Sequence, residues 1–247
     1  MTQNNLGFIY WELASFENPI DNLRYAITAY RHALEYRTPQ RDPRGYAMTQ
    51  NNLGLAYWRL ANEEDRIENL RRAIAAYKCA LEYRTPEIAH LDYATTQNNL
   101  GIVYAELAGD EDAPLSLSHA IKAYERALVY RTPHADPHGY AMTQNNLGSA
   151  YYNLAGIKDR QNNLSRSIAS YQNALRFYTP QAAPLDYAMT QNNLGLALSD
   201  SGDQDGACRA WAEGEKYNRL MGRIEKADAI LAHMRAKGCA GVSDAEA

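Results

Sequence analysis

Cysteine is scarce in this chain, with 3 in 247 residues. Cys79, Cys208 and Cys239 are an odd number and too few for a disulfide framework, and they lack the close spacing of metal ligands. Reduced thiols are the expectation, with Cys79 and Cys208 as small buried residues on helices. Basic excess is missing as well: 25 Lys and Arg face 29 Asp and Glu, a formal net charge of −4. Broad nucleic-acid binding needs a basic face, so no nucleic-acid partner is expected. No apolar run approaches the roughly 18 residues of a membrane span. The start, Thr2-Gln3-Asn4-Asn5, lacks the basic and apolar regions of a signal peptide, so the expected location is cytoplasmic. A Gly-rich phosphate loop and an HExxH pair are absent, and no Ser or Cys stands in a base-and-orienter context. The expectation is a protein that is not an enzyme, with no cofactor and no metal.

Phenylalanine is rare too, 3 against 19 Tyr, and the imbalance has a cause. The string Thr-Gln-Asn-Asn-Leu-Gly begins at Thr2, Thr49, Thr96, Thr143 and Thr190, always 47 residues apart. Tyr46, Tyr93, Tyr140 and Tyr187 keep the same beat, as do Tyr30, Tyr77, Tyr124 and Tyr171, and Pro39, Pro86, Pro133 and Pro180. A period of this size marks a stacked array, because one unit cannot bury both its faces alone.

Each unit reads as two helices of about 17–19 residues, without strand-like alternation. In the second unit Tyr46, Gln50, Leu53, Tyr57 and Leu60 form one stripe, after the Asp42-Pro43 start signal. The second helix carries Leu70, Ile74, Tyr77 and Leu81 and stops at Pro86. Asn18, Asp65, Asp112 and Asp159 precede the second helices, where a side-chain oxygen can accept from free backbone N–H groups. Gly54, Ala73 and Ala80 leave room for close helix contact, and Tyr57 and Tyr77 can fill the space between neighbours.

These residues resemble the tetratricopeptide repeat. Its signature is matched by Leu53-Gly54, Tyr57, Ala73, Tyr77, Ala80 and Pro86, and again by Leu100-Gly101, Tyr104, Ala120, Tyr124, Ala127 and Pro133. Ser167 departs from it, and Gln50 stands where the family has tryptophan. The 47-residue unit exceeds the family's usual length of roughly 34, through longer helices and a longer return loop. The resemblance implies an all-α, right-handed superhelical solenoid. Its five units would span 1–42, 43–89, 90–136, 137–183 and 184–222, the last with Trp211 at the helix B aromatic position. A capping helix over 223–237 and a frayed tail over 238–247 would follow. Met1 falls inside the first helix of unit one, which reads as a fragment or a truncated frame.

The resemblance also implies function: a platform that binds an extended peptide or protein segment along the first helices. Asn5, Asn52, Asn99, Asn146 and Asn193 match the asparagine ladder of O-linked N-acetylglucosamine transferase, and kinesin light chain repeats carry a similar Asn-Asn-Leu. In those families the ladder holds a peptide backbone. A primary amide fits, offering an acceptor and two donors. The wheel places Asn51, Asn98 and Asn145 on the same exposed side, with Leu55 and Ile102, and with Trp11, Trp58 and Tyr152 as apolar anchors. Two readings stay open for the ladder: it holds a ligand, or it bonds neighbouring helices and fixes the stack. The aromatic anchors carry the same ambiguity. A carboxylate clamp lacks its Lys and Asn in every unit. The remaining alternatives are a structural spacer, self-assembly into a homo-oligomer through the terminal repeats, and a regulatory arm of a larger protein.

Overall fold

The computed structural model describes residues 2–239 and consists, among them, of eleven α-helices and no strand. They are α1 (Gln3–Leu13), α2 (Pro19–Tyr36), α3 (Pro43–Leu60), α4 (Arg66–Leu81), α5 (Pro86–Leu107) and α6 (Ala113–Leu128). Next come α7 (Pro137–Ala155), α8 (Arg160–Leu175), α9 (Pro184–Ser201), α10 (Gln204–Leu220) and α11 (Ile224–Ala236). Odd and even helices pair up to α10, and α11 packs on α10. Two compact units result. Met1–Arg131 contains the pairs α1/α2, α3/α4 and α5/α6, and Thr132–Ala247 contains α7/α8, α9/α10 and α11. Of the expected frayed tail, residues from 240 onward lie outside the described residues, as does Met1.

One joint recurs inside every pair. Tyr30, Tyr77, Tyr124 and Tyr171 are buried, and each ring lies over the glycine of the partner helix. A methyl group on Gly54 would stand 2.7 Å from the Tyr77 ring, and one on Gly101 2.6 Å from Tyr124. Glycine in a helix costs about 1 kcal/mol against alanine. Seating an aromatic ring in the notch offsets that, since a buried aromatic typically contributes about 3–5 kcal/mol against its truncation. Trp211 fills the same notch over Gly195, as the spacing of the last unit predicts.

A second aromatic joint closes the far end of the four pairs from α3/α4 onward. Tyr46 meets Tyr83 edge-on at 5.4 Å between ring centres, Tyr93 meets Tyr130 at 5.7 Å, Tyr140 meets Phe177 at 5.5 Å and Tyr187 meets Tyr217 at 5.2 Å. Together the two joints take up 11 of the 19 tyrosines.

Helix starts show a steric exchange. Asp42, Asp136 and Asp203 accept from the N–H three residues on, at 2.8, 2.9 and 2.8 Å. That third residue is glycine each time, and a Cβ there would come within 1.9–2.3 Å of the carboxylate. Where alanine takes the cap position, at Ala89 and Ala183, the third residue is Asp92 or Asp186. Ala89 sits at φ −157°, ψ 73°, the backbone of Asp42 at φ −150°, ψ 72°. The kink in α5 is therefore the true helix start, preceded by a separate turn from Pro86.

The second helices correct one expectation. Asn18, Asp65 and Asp159 make no side-chain capping bond, and of the four only Asp112 does, to the Leu115 N–H at 3.2 Å. The three instead adopt left-handed backbone, φ 42–45°, which Asn and Asp tolerate better than other side chains. The turn is held from the helix side. Asn22, Asn69 and Asn163 donate to the carbonyls of Glu17, Glu64 and Lys158 at 2.7, 2.9 and 2.8 Å. In the third pair Ser116 replaces that asparagine, and there the turn differs.

The cysteines correct another. Cys208, at the start of α10, is disulfide-bonded to Cys239 beyond α11, with their Cα atoms 5.5 Å apart. The bond closes α11 over Trp211, beside Met234 and the His233 ring, whose centre is 4.6 Å from that of the indole. Cys79 is free and half-buried rather than fully enclosed.

Candidate functional site: the asparagine pairs of the first helices

The Asn-Asn pairs lie in the first turn of α1 and further along α3, α5, α7 and α9. Their two members do different work. The first asparagine is turned into the stack. Asn4 and Asn51 are each 6% exposed and Asn98 is fully buried. Asn4 Oδ1 lies 3.1 Å from the Thr49 hydroxyl one unit on, Asn51 Oδ1 lies 3.1 Å from Thr96, and Asn145 Oδ1 lies 3.1 Å from Thr190. The expectation that Asn51, Asn98 and Asn145 present their amides to an incoming chain is thereby corrected for this asparagine. Asn51 and Asn98 are interior, and Asn51 and Asn145 are bonded to the next first helix.

The threonine partner carries as much of this joint as the asparagine. Thr49, Thr96, Thr143 and Thr190 are almost completely buried. Thr49 and Thr96 also bond the carbonyls of Gly45 and Asp92, at 2.8 and 2.9 Å. They accept from the guanidinium groups of Arg37 and Arg84, at 3.2 and 3.0 Å. The single hydroxyl proton is thus shared between the asparagine oxygen and the carbonyl, while one lone pair takes the guanidinium N–H. The repeated Thr of the string was the available signal for this role.

The second asparagine has the opposite surroundings. Asn52, Asn99, Asn146 and Asn193 are half-exposed and Asn5 is exposed. Among the described residues none hydrogen-bonds to the side chains of Asn5, Asn52, Asn99 or Asn193. In the first unit Asn52 and the half-buried Leu55 border a cleft of about 100 Å³ with Phe8, Trp11 and Tyr30. The Trp11 indole N–H is buried there without a partner among the described residues. Ile102 holds the Leu55 position one unit on and is half-buried. In the second unit Asn193 borders a separate cleft of about 280 Å³ with Met189, Asn218 and Ile230.

The aromatic candidates double as ties between first helices. Trp58 donates its indole N–H to Glu106 at 2.8 Å, and the Tyr152 hydroxyl donates to Asp200 at 3.0 Å. Arg59 lies 4.7 Å from the centre of the Trp11 ring and donates to the Trp11 carbonyl at 2.7 Å. Burial and the Asp200 carboxylate push the Tyr152 hydroxyl above its ordinary pKa, so it stays a neutral donor.

Solved structures with this fold are numerous. A crystal structure of MamA protein superposes with a TM-score of 0.56 at 19% identity, covering 89% of this chain and 96% of that one. A thermophilic TPR protein from Thermus thermophilus gives 0.54 at 18% identity, covering 93% and 97%. A Podosopora anserina protein with nearly identical TPR-like repeats of the kinesin light chain type gives 0.60 at 14% identity, covering 90% and 99%. At these identities the likeness shows the fold. Among curated proteins none matches the sequence. Residues 49–78 match the tetratricopeptide repeat family. Such repeats generally serve protein–protein interaction. With the Leu-Gly notch, its aromatic and the stacked pairs in place, the 47-residue unit has the fold of a tetratricopeptide repeat, and the match to that family's model lies within the second unit.

Proposed function

We propose that the chain is a protein-interaction module that takes an extended peptide along its first helices, using the second asparagine of each pair. The division of labour within the pair carries this reading. Asn51 is tied into the stack, whereas the amides of Asn52 and Asn99 are left without protein partners among the described residues and so are open to a ligand. An amide so placed can match one peptide C=O and one N–H. First helices roughly 8–10 Å apart suit one rung per three residues of a chain advancing about 3.3 Å each. Each such bond nets only about 0.5–1.5 kcal/mol, so affinity depends on an anchor side chain. The cleft at Phe8, Trp11 and Leu55 accepts one of aliphatic size, and Trp58 and Ile102 would border the same path.

The test is a displayed library of random peptides selected on the full chain, followed by affinity measurement. Asn52→Ala with Asn99→Ala should weaken a selected peptide at least tenfold while helicity and melting hold. Equal binding by this double variant, or failure to select any peptide, refutes the reading. Self-association is a second reading with its own observation. Ile9 is 38% exposed, whereas its equivalents Ala56, Val103, Ala150 and Ala197 are buried. Light scattering over a concentration series decides it, and a constant monomer mass removes it.

A further inference from the structure

Lys122 and Arg126 break the repeat. Their positions are held by Thr28 and His32 in the first pair, Ala75 and Cys79 in the second, and Ala169 and Asn173 in the fourth. Helix packing therefore does not require a cation at either place. Both line a cleft of about 610 Å³ between α4, α5 and α6, to which α4 adds Lys78. Among the described residues Glu82 is the only carboxylate on its wall, so the cleft is positive on a chain whose net charge is −4. Its size falls within the range of small-molecule sites, about 300–1,000 Å³. The equivalent cleft of the α9/α10 pair is about 300 Å³ and sets Glu213 beside Arg209.

The floor of the larger cleft contains an independent sign of a ligand. Gln97 is 3% exposed and lines the cleft, yet its Oε1 is buried without a hydrogen-bond partner among the described residues. Leaving such an acceptor unpaired costs about 1–3 kcal/mol. Its Nε2 donates to the Tyr93 hydroxyl at 3.0 Å, which leaves the phenolic proton free to donate. Tyr104 forms a wall whose ring is already occupied by the His119 ring, 4.9 Å away, and by Lys78 Nζ at 5.8 Å. That disfavours a flat aromatic ligand. The cleft thus combines a cationic rim with a floor that offers one vacant acceptor and one donor.

We propose that this cleft binds a small phosphorylated polyol of the sugar-phosphate class. Lys122, Arg126 and Lys78 take the phosphate, the arginine through its planar fork. A ligand hydroxyl donates to Gln97 Oε1, and another accepts from Tyr93. The site is separate from the asparagine face. Gln97 and Leu100 lie about 200° around α5 from Asn99 and Ile102.

Calorimetric titration of the full chain with glucose 6-phosphate, inorganic phosphate, glucose and a hexaglutamate peptide tests it. Glucose 6-phosphate should bind saturably, at least tenfold tighter than inorganic phosphate, with glucose and hexaglutamate weaker still. Lys122→Ala with Arg126→Asn installs residues already found at these positions in other repeats, so the fold should hold, and should cost the ester at least tenfold. Gln97→Met should bring the ester down to the level of inorganic phosphate. Three results overturn the proposal: no saturable binding of the ester, equal binding by the Lys122/Arg126 variant, or inorganic phosphate or hexaglutamate binding as tightly as the ester. The variant Asn52→Ala with Asn99→Ala should bind the ester normally, which keeps the two proposals distinguishable.

Discussion

One tyrosine position of the repeat, mutated identically in two units, should change stability in opposite directions. Tyr77 is fully buried and its hydroxyl has no hydrogen-bond partner among the described residues. Tyr171 occupies the same notch over Gly148, but its hydroxyl lies 3.0 Å from the hydroxyl of Ser149. Ser149 stands where other units carry Leu55, Ile102 and Leu196, so only the fourth pair supplies this partner. Tyr77→Phe removes a desolvated, unpaired hydroxyl that costs about 1–3 kcal/mol. The oxygen leaves a gap worth only a few tenths of a kcal/mol at about 24 cal/mol per Å³. A net gain of about 1 kcal/mol is expected. Tyr171→Phe loses a bond worth about 1 kcal/mol, while Ser149 keeps its bond to the Asn145 carbonyl at 3.2 Å. The two variants should melt about 2–4 °C above and below the parent respectively, for a domain of this size. Circular dichroism on heating, with urea titration as a check on the slope, measures both. A Tyr77→Phe variant less stable than the parent by about 1 kcal/mol or more would refute the reasoning, since it would mean that the phenol is satisfied in solution.

The helix-start exchange gives a second test. Gly45→Ala should cost about 1 kcal/mol by evicting the Asp42 carboxylate from its cap, and Asp42→Ala about the same, with the two losses failing to add. Asp42→Ala with Gly45→Asp, the pairing of Ala89 with Asp92, should recover most of it; additive losses in urea titrations would contradict the steric account. Alkali gives a third. Burial pushes Tyr171 up to about 12 and raises Tyr30, Tyr77 and Tyr124 as well, with smaller contributions from Glu12 or Glu106 for those three. Below the unfolded phenol value of about 10 both states are protonated and stability is complete. Above it the unfolded chain releases protons that the fold retains, so stability falls by about 1.4 kcal/mol per pH unit for each buried tyrosine. Tyrosinate absorbance from these four should rise only with the loss of helicity, and full titration of all tyrosines with helicity intact would contradict the burial.

The pairing of helices was legible because the Leu-Gly positions recur five times at 47 residues and the notch tyrosine four times. Gly54 and Tyr77 could be matched before any contact was seen. The split between Asn51 and Asn52 was not legible. A wheel that marks one buried stripe assigns everything opposite to solvent, yet a first helix in a stack also touches the first helices before and after it. Asn51 lies on that third side. The turn asparagines misled for a different reason: Asn and Asp are favoured both as caps and in left-handed backbone, and residue type alone cannot separate the two. Cys208 and Cys239 are 31 residues apart in sequence, and only the return of α11 onto α10 brings them together. Gln97 follows the period like every other glutamine of the string, so its vacant oxygen is visible only in three dimensions.

The tyrosine-in-glycine notch operates within a helix pair, while the asparagine-to-threonine tie leaves a pair on one side and arrives on the other. A length of 47 residues therefore carries one complete lock and half of two identical couplings. Duplicating or deleting such a cassette joins like to like and disturbs no neighbouring lock. An array built this way can lengthen or shorten by whole units while each remaining unit keeps its own interior, so its length can change without any core being redesigned.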